Sequence, residues 1–372
     1  MRRFSLMRSL LGKKGFTLIE MLVAITVLVI LLAILFSITN TVAKTVVNTS
    51  VKLDTFAAAR TAFDLMSQKL SQATLNTYWD YDNPVQPQTY YRQSDLQFIV
   101  KANVQNNTGG ATSGYGQEVY FTTPATYSAS ASIRSTDGLL NACGYFVSYG
   151  PETSFRPPTL AATPRYRYRL MQGLEPTENL AVYSNWPATP TGTQTWTSYW
   201  SGSWATFWAN QAWINTINNL STGLPNTNDT PVANNIIALI VWPHLSVVDD
   251  PPNSSGMDGG KLTNKLYAYD SQANALTLVS GVQPLTANQL PPTVQLTMIA
   301  ISEASASRLN MTATAPTVIE SALKGKFVVA TYTQYQADLA SVTTSLAANH
   351  IAFEILNTSV TMKESKWSDN SQ

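Results

Sequence analysis

Lys14-Gly15-Phe16-Thr17-Leu18-Ile19-Glu20, followed by residues 21–38 without a charge, a glycine or a proline, is the stretch on which the reading of this chain turns. Glu20 is the only charged residue from 16 to 39. The apolar run is long enough to cross a bilayer, at the short end of the ~17–25 residues normally needed. Arg2, Arg3, Arg8, Lys13 and Lys14 precede Gly15 with no acid among them, whereas the segment beyond the run is mixed in sign (Lys44, Lys52, Asp54, Arg60, Asp64). That asymmetry places the N-terminus in the cytoplasm and the remainder outside. A secretory signal would have an apolar region of ~7–15 residues ending in small residues; here the run is longer, and Thr41-Val42-Ala43 is a poor cleavage site. An acid in such a segment is expensive, roughly 2.5–3.5 kcal/mol at the centre of a membrane helix, so Glu20 is a functional candidate.

Gly15, Phe16 and Glu20 in front of an unbroken apolar run resemble the class III signal of type IV prepilins. The resemblance implies that a membrane prepilin peptidase cuts after Gly15 and methylates the new N-terminal Phe16, with Glu20 the fifth mature residue. Loss of the five basic residues takes the basic count from 23 to 18 against 22 acids, so the mature chain carries a formal net charge of −4. Cleavage creates a positive amine at Phe16 near the membrane boundary. A carboxylate four residues along, on the same or a neighbouring subunit, neutralises it where the dielectric is low and gives packed helices a register.

Neither glycine nor proline occurs between Gly15 and Pro84, and Phe56, Ala59, Phe63, Met66, Leu70 and Ala73 recur by threes and fours. One helix over 16–77 is expected, apolar all round at first and then amphipathic, its stripe buried against a head domain. The expected organisation is therefore a leader (1–15), a transmembrane helix (16–39), its amphipathic continuation (40–77) and an extracytoplasmic head (78–372). Pro84 and Pro87 close the helical zone. Strands are expected at 96–101, 118–122, 144–149, 165–170, 236–242, 265–269, 294–301 and 351–362, a helix at 338–348, and loops at 106–116 and 151–164. The fold class is α+β: a long N-terminal α-helix packed on an antiparallel β-sheet head.

Little in the head carries chemistry. Charged residues are 12% of the chain, about half the usual share, and no basic field exists to grip nucleic acid. Cys143 is the only cysteine, so no disulfide can form within the chain, and its apolar setting predicts a buried, inert thiol. His244 and His350 lack ligand or nucleophile spacing, and there is no phosphate-cradling glycine loop or CxxC, so neither catalysis nor a cofactor is expected. Asp249, Asp250 and Asp258 offer oxygen ligands to calcium on a flexible loop, but their spacing does not fit an EF-hand, and a solvated loop is the expectation. Six of nine tryptophans lie between Trp186 and Trp213, in an insertion at about 184–220. Folded inward they are core; exposed, they would make an adhesive or substrate-binding tip.

Two narrower likenesses bear on function. From Ala59-Arg60-Thr61-Ala62-Phe63-Asp64 the chain resembles J-type minor pseudopilins of type II secretion, whose large heads follow a similar helix. GLLNACGYFVSYG (138–150), RYRYRLMQGLEPTENLAVYS (165–184), NIIALIVWP (235–243) and KESKWS (363–368) are similar to the group called Verru_Chthon cassette protein C, pilin-like proteins encoded together as a set. The proline common within the membrane helix of major pilins is absent here, which favours a minor, pseudopilin-like subunit. The resemblance implies a structural role beside sibling pilins or pseudopilins in the inner membrane, single-pass, with a periplasmic head.

Overall fold

The computed structural model describes residues 17–81, 90–101, 115–133, 136–155, 164–180, 229–245, 267–272 and 286–365. The chain divides into two compact units, Met1–Val51 and Lys52–Gln372. Helix α1 (Leu18–Ser71) has residues in both units. From Leu18 to Val46 its side chains are exposed, leucines, isoleucines and valines included. In the second unit, Ala59, Ala62, Phe63, Met66 and Leu70 are buried, as is Ala73 just beyond the helix, while Phe56 packs half-buried against them. The stripe read from periodicity is thus core.

Among the described residues the head is built from two sheets and a ribbon, so α+β holds. The ribbon pairs β1 (Tyr78–Tyr81) with β2 (Tyr90–Gln93). The larger sheet has the order β10-β3-β5-β6-β7-β8, from β3 (Ile99–Lys101), β5 (Glu118–Pro124), β6 (Leu140–Pro151), β7 (Tyr166–Glu175), β8 (Asp229–Asn234) and β10 (Tyr269–Asp270). The smaller has the order β12-β11-β9-β4, from β4 (Tyr115–Gly116), β9 (Ile236–His244), β11 (Thr293–Ile301) and β12 (Phe353–Thr361). Among the described residues every strand pairing is antiparallel except β4 with β9. Gly116 is required there. Its φ is +113°, and a Cβ would overlap the Leu239 carbonyl oxygen.

The chain passes between the sheets through a single residue twice, at Gln117 between β4 and β5 and at Asn235 between β8 and β9. β8 pairs with β7 of the larger sheet, β9 pairs with β11 of the smaller, and only Asn235 separates them. Asn235 turns the corner at φ +62°, a conformation asparagine tolerates. Its N–H donates to Tyr168 at 2.7 Å and its carbonyl accepts from Ile301 at 2.9 Å, one bond to each sheet. β9 is buried along nearly its whole length, which explains its unalternating apolar sequence.

Three short helices follow β11: α2 (Glu303–Arg308), α3 (Thr317–Leu323) and α4 (Tyr332–Ala348). α4 lies on the smaller sheet, where the Tyr335 hydroxyl is 2.7 Å from Thr297 and accepts from Asn357 at 3.1 Å. Thr297 and Asn357 face each other on β11 and β12. The head end of α1 is tied to both sheets. Thr74 exchanges bonds with Thr122 of β5, and Lys363, just past β12, donates to the Ser71 carbonyl at 3.1 Å.

Candidate functional site

The candidate site is the start of α1. Thr17 stands at the helix start, and the Glu20 backbone N–H donates to its hydroxyl at 3.3 Å. In return the Glu20 carboxylate accepts from the Thr17 N–H at 2.9 Å and from the Thr17 hydroxyl at 3.0 Å. This is a capping box, Thr-x-x-Glu, which satisfies donors a helix start otherwise leaves open. It matters more in lipid, where water cannot replace them. The sequence reading passed over Thr17, although a threonine three residues before a glutamate at the head of an apolar run is a recognisable helix-start signature. Glu20 is therefore held over the Thr17 backbone N–H. Gly15 and Phe16 lie outside the described residues.

Behind the cap, Leu18–Val46 is long and apolar enough to cross a membrane. Its threonine hydroxyls are turned onto the helix. Thr26 donates to the Val23 carbonyl at 2.8 Å, Thr39 to Leu35 at 2.8 Å, Thr41 to Ser37 at 2.9 Å and Thr45 to Thr41 at 2.8 Å. Each folds its polar atom onto its own helix, which leaves methyl groups outward.

The other candidates offer no second site. Cys143 is buried, its thiol pushed up by desolvation, with Gln172 Nε2 3.5 Å from its sulfur. His244 sits with its ring centroid 4.3 Å from that of Trp242. His350 takes a left-handed turn after α4, and its carbonyl accepts from Arg308. Among the described residues no three histidine, cysteine or acidic side chains are gathered to hold a metal. The insertion at 184–220 and the loop with Asp249, Asp250 and Asp258 lie outside the described residues.

A family model, the prokaryotic N-terminal methylation motif, matches residues 11–36. No curated protein and no solved structure matches the chain. The matched residues include Gly15, Phe16, the cap at Thr17 and Glu20, and the first part of the apolar helix. The motif and the helix behind it together support a type IV prepilin-like protein, membrane-anchored and processed by prepilin peptidase.

Proposed function

We propose that the chain is a structural, minor pseudopilin-like subunit of an inner-membrane assembly related to type II secretion or type IV pili. The peptidase cuts after Gly15, Phe16 is methylated, the N-terminus stays cytoplasmic until cleavage, and the head is periplasmic. The carrying observation is the coincidence of the methylation motif with a capped helix whose Glu20 carboxylate accepts from the Thr17 N–H. Glu20 then serves twice. It closes its own helix, and in the assembly it neutralises the Phe16 amine of its own or a neighbouring subunit. The long apolar helix, unbroken by proline, and the large mixed head agree with a minor subunit.

Two variants separate the roles. Glu20→Ala should insert at least as well as the parent and be cut normally, because it removes a charge from the apolar run. Its crosslinking to, or co-purification with, sibling pilins should fall sharply at equal membrane levels, since breaking one half of a buried pair costs ~3–5 kcal/mol. Glu20→Gln retains an acceptor for the cap but not the charge. If Glu20→Gln associates like the parent, the cap is the whole role of Glu20 and the register contact is wrong.

A further inference from the structure

The two sheets end in β10 and β8 and in β12 and β4. β10 and β4 are two residues long, and β8 carries Pro231 and a register shift against β7. Short strands, proline and irregular register are the usual means by which an edge is kept from pairing with another chain. β12 uses none of them. It runs nine residues, keeps one register with β11 from end to end, and contains no proline and no lysine. Its one charged residue, Glu354, turns toward α1 and pairs with Arg60 at 2.6 Å.

The ladder fixes which backbone groups lie on the outer edge. Met362 N–H donates to the Pro292 carbonyl at 3.0 Å and Ser302 N–H to the Ala352 carbonyl at 2.9 Å, each continuing the β11–β12 register by one pair. Even-numbered residues of β12 therefore bond to β11, and Phe353, Ile355, Asn357, Ser359 and Thr361 direct N–H and C=O away from it. Lys363, next in that series, gives its N–H to the Ser71 carbonyl at 3.1 Å, where the open stretch ends. Among the described residues no backbone group pairs with the outward groups before it. Their side chains lie on the α4 side, where Asn357 meets Tyr335. Phe353 and Ile355 are half-buried there, and Asn357, Ser359 and Thr361 are exposed. α4 adds no charge to that side. Its only charged residue, Asp338, is buried and accepts from the Phe327 N–H and from Gln334 Nε2, each at 2.8 Å.

We propose that the outer edge of β12 docks an extended segment of another protein, which adds antiparallel as a further strand of the smaller sheet. Backbone bonds to the open N–H and C=O groups hold the segment, and the side chains flanking the edge select its chemistry. That chemistry is an uncharged strand, aliphatic opposite Phe353 and Ile355 and bearing hydroxyl or amide groups opposite Asn357, Ser359 and Thr361. A charge would be misplaced, because neither α4 nor the outward residues of β12 offer a counter-ion, and charge is depleted at the buried centre of protein interfaces. A second copy fits less well. Antiparallel pairing of two β12 strands about Asn357 sets Phe353 against Thr361 and Ile355 against Ser359, apolar against hydroxyl at both ends.

The test uses the full chain in detergent micelles and a fluorescent peptide, Thr-Val-Ser-Val-Asn-Val-Ile-Thr-Val, capped at both ends and read by anisotropy. The peptide should bind saturably. Methylating the amide nitrogens of its first residue and every second one after it, which face β12, should weaken binding at least about tenfold, because each loses a donor and meets the edge with a methyl group. Methylating the intervening nitrogens should leave binding within about twofold, since these point away from the edge. An aspartate in place of the peptide's asparagine should weaken binding as well. Ser359→Pro removes one outward N–H and no bond to β11, so it should melt like the parent and lose the peptide. If that variant fails to fold, the two methylated peptides still decide. No saturable binding, equal binding of the two methylated peptides, or full binding by a folded Ser359→Pro would each overturn the proposal. So would dimers of the parent in micelles that Ser359→Pro abolishes, since these give the edge to a second copy.

Discussion

Glu118 shows most directly how a single residue's surroundings set its energetics. It opens β5, is 6% exposed, and accepts from the Tyr120 hydroxyl at 2.8 Å. Burial pushes its carboxyl above the ordinary range, more than the Tyr120 bond and the nearby Lys101 pull it down. Lys101 is shifted the opposite way by the same cause, its ammonium lowered by desolvation against the pull of Glu118. In both partners the cost of leaving water outweighs their attraction. For a carboxylate with a raised folded pKa the sign is fixed. Below the unfolded value of about 4.3 both states are protonated and nothing is lost, and stability falls as pH rises through and above it. Glu118→Gln, which keeps an oxygen for Tyr120, should therefore raise the melting temperature at pH 7 by about 2–4 °C, the shift expected of roughly 1 kcal/mol in a domain of this size. The gain should vanish below about pH 4. A lower melting temperature at pH 7 would mean that pairing with Lys101 outweighs desolvation. Cys143, whose thiol burial also pushes up, should resist alkylation until the head unfolds.

Between elements, the decisive joint is the set of contacts that Arg167 of β7 makes with Glu303 of α2, Asn235 at the β8–β9 corner and Glu152 after β6. These groups bind the larger sheet to the element leaving the smaller one. Arg167, through its hydrogen bonds first, holds the Glu303 carboxyl below the ordinary range. Arg167→Met should cost ~2–4 kcal/mol at pH 7, somewhat under the usual cost of breaking a buried pair because Glu303 keeps 30% of its side-chain exposure. A carboxylate with a depressed pKa contributes stability above its unfolded value and loses it as pH falls. Urea unfolding of parent and variant should thus converge below about pH 4, and a difference independent of pH would assign the loss to packing instead. This joint was not legible in the sequence, because residues 152, 167, 235 and 303 are joined only by the fold. Strands with continuous apolar runs were legible. β9 and β11 lie within two residues of where periodicity and composition put them. Polar or β-branched starts were not. α4 was expected from 338 and begins at Tyr332, six residues earlier in a stretch rich in tyrosine and threonine. Its cap at Thr331, bonded by the Gln334 N–H, repeats the Thr-x-x-Gln/Glu spacing of Thr17 and Glu20, so both helix starts carried a signal that hydrophobic periodicity alone does not weigh. The passage from one sheet to the other at Asn235 depends on a left-handed residue between β9 and β8, a strand that the sequence reading did not include. Composition is blind to that turn.

For the molecule as a whole, cleavage after Gly15 would couple charge to anchoring. The precursor carries 23 basic and 22 acidic residues and a sequence pI of about 7.7. Every basic residue before Gly15 lies in the segment the peptidase would remove, and that segment contains no acid. Cleavage after Gly15 would do two things at once: it would create a new amine four residues before Glu20, and it would convert a near-neutral chain into one of formal charge −4. A bulky side chain at position 15 should obstruct the cut, since the substrate backbone must lie close in the peptidase site and glycine alone presents no Cβ. Gly15→Val should still insert, because its apolar helix and its five flanking cations are untouched, and cationic flanks set orientation. The variant should accumulate in the membrane as full-length precursor, focusing near neutral pH. The parent should be acidic, shorter by fifteen residues, and should yield an N-terminal peptide that begins at Phe16 and is heavier by one methyl group. Isoelectric focusing and peptide mass read these changes separately. A parent protein that begins near Lys44 would show that the apolar run is itself removed, and with it the anchor, the cap at Thr17 and the role proposed for Glu20. A Gly15→Val protein processed like the parent would place the cut elsewhere while leaving the membrane helix intact.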